Sequence, residues 1–172
     1  MMTDALQRVA EVLAAPGQPG TVFAALDAAL AATVGHRLFT VLVLDEARGV
    51  SRRFYSSNPD AYPVSGEKPI RRDSEFHRQV IEQGSPRICH DRADIERAFP
   101  DHALILSLGC EGAVNVPVRW NGRTLGALNL LDRAGHYTTA QMPILGVFAA
   151  LAAAPVLHAI GNMPAGAGLH VP

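Results

Sequence analysis

The chain has 172 residues, 15 basic against 16 acidic side chains for a formal charge of -1, 48% hydrophobic residues and two cysteines. A chain of this length buries roughly 68–70% of its unfolded surface as a single domain, so it requires neither a disulfide framework nor a structural metal. Near-neutrality excludes the global field that steers basic domains onto nucleic acid or anionic lipid, and neither partner is expected.

Met1-Met2-Thr3-Asp4 brings no positive segment into an apolar core, so no secretory signal is expected. The chain reads as cytoplasmic, with free thiols. Residues 4–15 place Leu6, Val9, Ala10 and Leu13 at helical spacing and form an amphipathic first helix, stopped by Pro16-Gly17-Gln18-Pro19-Gly20. A second helix carries Val22, Phe23, Leu26, Leu30 and Val34 up to Gly35. Residues 37–44 are β-branched and apolar and read as a buried strand; residues 50–56 return as its hairpin partner. Within that partner, strand alternation places Arg53 and Tyr55 on one face, separated by Phe54.

Residues 58–69 read as a loop from their Pro, Gly and Ser content. Asp73 or Ser74 then caps a helix with Phe76, Val80 and Ile81 inward, ending at Gly84. Residues 87–90 suffice for a short strand, and residues 92–108 for one or two short helices around Phe99-Pro100. Asn121-Gly122 between the apolar runs 113–120 and 124–131 is a strong hairpin signal. Asn115 and Asn129 are the polar exceptions in these two strands: a three-residue loop would set them opposite each other, a two-residue loop on opposite faces. Thr138 and Gln141 stand at capping-box spacing before a last helix. That helix spans the most apolar stretch, 142–160, which is long enough to consider as a membrane span. Pro143, Pro155, Gly146 and His158, without flanking basic residues, favour instead a helix packed on a sheet and kinked at Pro155.

Hairpin-joined strands with terminal helices predict an α+β domain. Its antiparallel sheet has five to six strands, with the N- and C-terminal helices on one face and a helical crossover over the other. The expected organisation is an N-terminal helix (1–17), a core domain (18–160) and a flexible tail (161–172).

The run Gly112-Ala113-Val114-Asn115-Val116-Pro117-Val118, then Asn121-Gly122, Leu125-Gly126-Ala127-Leu128-Asn129-Leu130-Leu131 and Gly135-His136-Tyr137-Thr138, resembles GAF domains. The element order from Val22 to Ile160 is also that of a stand-alone GAF domain. The resemblance implies a GAF/PAS-like fold and a ligand-sensing or dimerising regulatory module, with a homodimer through the terminal helices, and names no ligand or cofactor. It also implies a pocket between the sheet and the crossover at 73–111. Candidate ligand contacts there are Arg53, Tyr55, Phe76, His90, Phe99, His102, Asn115 and Asn129, with Asp101 and Leu104 nearby. An arginine and a tyrosine on one face suit an anionic or planar ligand. The Asn pair has a second reading, tying down loop backbone.

Three other chemistries have some support in the residues. Cys89-His90 resembles the chromophore attachment pair of bilin-binding GAF domains, but it stands twenty residues before Gly109 rather than about ten, and aromatic residues are only 6% of the chain. Cys89 and Cys110 invite comparison with the free methionine sulfoxide reductases, which resemble GAF domains but carry three cysteines. Arg87, Arg92 and His90 could lower a thiol pKa in that reading. Cys89, His90, His102 and Cys110 lack paired zinc-ligand spacing, so no metal is expected. The leading expectation is a non-catalytic sensor that signals through a partner chain. The alternatives are a thiol-dependent methionine sulfoxide reductase and a dimerisation module without a ligand.

Overall fold

The apolar run Leu38–Asp45 forms β1, which pairs antiparallel with Val50–Ser56 (β2) on one side and with Arg123–Asp132 (β6) on the other. Lys68–Pro69 (β3), Arg87–Cys89 (β4) and Gly112–Trp120 (β5) complete a six-stranded antiparallel sheet of order β3-β2-β1-β6-β5-β4. The computed structural model describes residues 2–163. The predicted tail therefore lies, from residue 164 onward, outside the described residues. The α+β class and the antiparallel sheet are as predicted. The two-residue β3 falls in the segment expected to be loop, because a Lys-Pro dipeptide has no strand period; at a sheet edge, proline's missing N–H leaves no ladder bond unmade.

Alternation divides the sheet into two chemically different faces. Phe39, Val41 and Val43 of β1, Val114, Val116 and Val118 of β5, and Leu128 and Leu130 of β6 face a core shared with the helices Met2–Leu13 (α1), Gly20–Thr33 (α2), Met142–Leu151 (α5) and Ala153–Gly161 (α6). The other face carries Leu38, Thr40, Leu42, Ala113, Asn115, Asn129 and Leu131, beneath the short helices Arg92–Ala98 (α3) and His102–Ser107 (α4). Ile95 and Ile105 of α3 and α4 pack there with Leu38, Tyr62, Ala113 and Leu131.

The helix predicted before Gly84 is a π-helical segment, His77–Glu82, with Ser74 Oγ accepting from the His77 N–H at 3.1 Å. The carbonyls of Val80 and Ile81 in this wide turn are met by the Thr124 hydroxyl of β6, at 3.4 and 2.8 Å, which ties the crossover to the β5–β6 hairpin. The Thr138–Gln141 capping box is present. The last helix is divided into α5 and α6 at Ala152, three residues before Pro155, whose ring displaces the preceding turn. Among the described residues no single helix is long and apolar enough to cross a membrane; the apolar stretch is a pair of helices bent by 43°.

Candidate functional site: a cavity floored by a polar row

Four polar side chains stand in register across four strands on the sheet face opposite the large helices. Arg87 of β4 lies opposite Asn115 of β5, Asn115 opposite Asn129 of β6, and Asn129 opposite Thr40 of β1. They form one directed chain. Arg87 Nε donates to Asn115 Oδ1 (3.0 Å), Asn115 Nδ2 to Asn129 Oδ1 (2.7 Å), and Asn129 Nδ2 to Thr40 Oγ1 (3.3 Å). A guanidinium can only donate, so Asn115 must present its oxygen to Arg87, and each amide in turn is fixed in orientation. Such a row is held together because each of the two amides both accepts from one neighbour and donates to the next.

The row exists because of a β-bulge. The β5–β6 loop has the two residues Asn121 and Gly122, both at positive φ (+49° and +76°), which by simple alternation would set Asn115 and Asn129 on opposite faces. The register shifts between Val118 and Arg119: Arg119 pairs with Thr124 but Val118 with Gly126, leaving Leu125 as the extra residue. The bulge turns Asn129 to the face of Asn115. The two-residue loop and the opposed asparagines, alternatives by sequence, therefore occur together.

Above the row lies a cavity of about 420 Å³ between the sheet and the crossover segment. Leu42, Leu44 and Leu131 line it from the sheet, Ile81 from the π-helical segment, and Phe76, Ala98 and Phe99 from above. Its charged lining is unbalanced, with Arg53, Lys68, Arg71 and Arg87 against the single carboxylate Asp101. Asp101 is engaged already, accepting from the Tyr62 hydroxyl (2.6 Å) and lying 3.6 Å from Arg53, whose guanidinium stacks on the Tyr62 ring at 3.7 Å and donates to the Pro63 carbonyl (2.7 Å).

Of the eight residues singled out from the sequence, Arg53, Phe76, Phe99, Asn115 and Asn129 line this cavity and three do not. Tyr55 faces the large helices. A second bulge, between Val41 and Leu42 on β1, pairs Val41 with Tyr55 but Leu42 with Arg53, so Phe54 is the extra residue and the expected shared face is lost. Tyr55 donates instead to Asp27 Oδ2 of α2 (2.7 Å). Burial alone would raise the Asp27 carboxyl, but hydrogen bonds from His36 and Tyr55 hold it below the usual carboxylate range. His90 follows the end of β4 and is exposed, with its backbone N–H donating to Asp94 Oδ2 at 2.8 Å. His102 lies in a neighbouring recess of about 270 Å³ with Arg71, Arg87 and Arg97, its Nδ1 3.0 Å from the Phe99 carbonyl. Leu104 is exposed on α4. Sequence reasoning missed Arg87 and Thr40 as site residues; Thr40 carried the same signal as the asparagines, a polar side chain inside an apolar strand, whereas Arg87, at the start of the three-residue β4, carried none.

Both cysteines are buried and free, and neither lines the cavity. Burial pushes the Cys89 thiol up despite the nearby Arg87, and pushes Cys110 up to about 11. Each is therefore held as the neutral thiol at neutral pH. The Cys89→Ser/Cys110→Ser variant is expected to keep the fold and any cavity ligand, and a thiol-reactive chromophore should label the native protein at least tenfold more slowly than the unfolded chain. No cluster of three metal-ligating side chains occurs among the described residues.

The family model of the GAF domain matches residues 21–154. Among solved structures, the GAF domain of a phosphoenolpyruvate-protein phosphotransferase from Coxiella burnetii superimposes with a TM-score of 0.73 at 15% identity, covering 93% of this chain and 95% of that one. Free methionine-R-sulfoxide reductase from Neisseria meningitidis, solved with its substrate, gives 0.65 at 19% identity, covering 91% and 88%. The GAF domain of a two-component sensor histidine kinase from Bacillus halodurans gives 0.64 at 11%, covering 80% and 92%. At these identities the likeness is one of fold. No curated protein matches the sequence.

Proposed function

The chain belongs to the GAF domain family, whose members are commonly sensory or regulatory, and on that premise we propose that it is a non-catalytic sensor that binds a small molecule and signals to a partner chain. The observation that carries this reading is the 420 Å³ cavity over the polar row. That volume falls within the roughly 300–1,000 Å³ of small-molecule sites, which are mostly apolar with a few fixed polar groups. A module that only dimerises would gain stability by filling the space with its own side chains. Buried thiols outside the cavity speak against the reductase reading.

The signal has a short path. Ile81 and Phe99 touch the cavity from the crossover, while Val114 and Val116, flanking Asn115 on β5, face the helical core on the other side of the sheet. A ligand with different affinity for two crossover positions would shift the packing of α5 and α6 against that sheet. Val147 and Leu157 on these helices, with Met2 on α1, are exposed large hydrophobic residues, and they support a homodimer formed there. Sedimentation at micromolar concentration is expected to give twice the mass of the chain.

The test of ligand binding is a thermal-shift screen of small metabolites on the native protein and on Ala98→Trp, which fills the cavity from α3. Compounds that raise the melting temperature of the native protein should have no effect on the variant. Equal shifts in both proteins would place binding elsewhere and overturn the reading.

A further inference from the structure

Arg87 is only 5% exposed, and its one ion pair, with Glu75, is long. Its Nε is used by Asn115, a neutral acceptor. Among the described residues its two Nη nitrogens make no hydrogen bond, and the one carboxylate within 4.0 Å, Glu75, lies at 3.9 Å from Nη1, beyond hydrogen-bond reach, on a side chain 55% exposed. The rings of Phe76 and Phe99 each lie 5.5 Å from the guanidinium carbon. These contacts hold the guanidinium in place and leave its charge balanced only by the long ion pair to a half-exposed carboxylate. A buried cation in that state is costly unless a further anion completes it. With Nε turned toward the sheet, the edge left for an incoming group is the Nη1–Nη2 pair, the fork that matches the two oxygens of a carboxylate.

We propose that Arg87 is the anchor for a small organic monocarboxylate, its two oxygens held by the Nη edge and its apolar body lying in the cavity against Leu42, Leu131 and Phe99. This rests on the cavity being a ligand site, and it adds the chemical class of the ligand. A monoanion is favoured over a phosphate dianion because the buried end of the cavity offers one guanidinium fork set among aliphatic and aromatic walls. Of the other cations lining the cavity, Arg53 is shared among Tyr62, Asp101 and the Pro63 carbonyl, and Lys68 and Arg71 are exposed, in solvent. Glu75 acts as a weak internal competitor for the same guanidinium.

The experiment is a calorimetric titration with 3-phenylpropionate, its neutral isostere 3-phenylpropionamide, and inorganic phosphate. The acid should bind the native protein at least tenfold more tightly than the amide. Arg87→Gln, which can still donate to Asn115, should bring the acid down to the affinity of the amide without abolishing either. Glu75→Gln, a change at an exposed position, should tighten the acid about twofold to threefold, the scale of a screened ion pair, and leave the amide unchanged. Should Arg87→Gln fail to fold, the acid-to-amide ratio and the Glu75→Gln response decide the matter. Equal binding of acid and amide that persists in Arg87→Gln would overturn the anchor while leaving the cavity as a ligand site. Phosphate binding as strong as the acid and lost in Arg87→Gln would overturn the carboxylate assignment. Absence of binding by all three probes, together with no screen compound sensitive to Ala98→Trp, would remove both readings.

Discussion

Replacement of Gly126 by alanine is expected to lower stability by about 3 kcal/mol, the upper range for forcing atoms into a packed interior. Gly126 stands in β6 beside the bulge, paired with Val43 of β1 and Val118 of β5. A Cβ there would lie 2.2 Å from the Leu42 carbonyl oxygen, which is backbone of the adjacent central strand and cannot rotate away. Relief requires β1 and β6 to separate or change register, and either movement would pull Thr40 away from Asn129. Gly146 is the control. On α5, a Cβ at this position would meet no atom within 4 Å, so its change to alanine should stabilise by roughly 0.5–1 kcal/mol through helix propensity. Urea unfolding of the two variants checks both signs. A Gly126→Ala midpoint matching that of the native protein would mean that the β1–β6 contact is looser than described.

The second large effect is expected at Asn115. Asn115→Leu removes the acceptor of Arg87 Nε and the donor to Asn129 together, leaving a buried cation without its orienting bond. The expected loss is about 3 kcal/mol, since an unsatisfied buried group costs about 1–3 kcal/mol and more when charged. Asn115→Asp separates structure from binding. Its carboxylate still accepts from Arg87 and supplies a closer counter-charge than Glu75, so it should retain more stability than Asn115→Leu while losing 3-phenylpropionate. The double variant Asn115→Leu/Asn129→Leu should cost less than the sum of the single changes, because the two amides satisfy each other. Additivity within a few tenths of a kcal/mol would contradict a coupled row.

The elements of this fold are legible in the sequence because they depend on local chemistry. Continuous apolar, β-branched runs mark β1, β5 and β6, Asn121-Gly122 marks the hairpin, and Thr138 with Gln141 marks a helix start. Which face a side chain occupies is a different kind of information. It depends on register, and a bulge exists only relative to the partner strand. The extra residues Phe54 and Leu125 are ordinary strand formers with no local mark, yet one sends Tyr55 to the helical core and the other sets Asn129 opposite Asn115. The family resemblance correctly suggested a GAF domain but did not point to Arg87, which in sequence stood out only as a cationic neighbour of Cys89. Its role becomes visible when three strands place Asn115, Asn129 and Thr40 in line with it. The π-helical form of the crossover was equally hidden, since its apolar spacing over Phe76, Val80 and Ile81 is that of an ordinary helix.

A crystal structure of the protein grown with 3-phenylpropionate tests the central claim most directly. The expected result is density for the acid inside the cavity, with both carboxylate oxygens within hydrogen-bond distance of the Arg87 Nη nitrogens and the phenyl ring between Leu42 and Phe99. A cavity closed by its own side chains, with Phe76 and Phe99 packed onto Leu42 and Leu131 and the acid bound elsewhere or not at all, would contradict it.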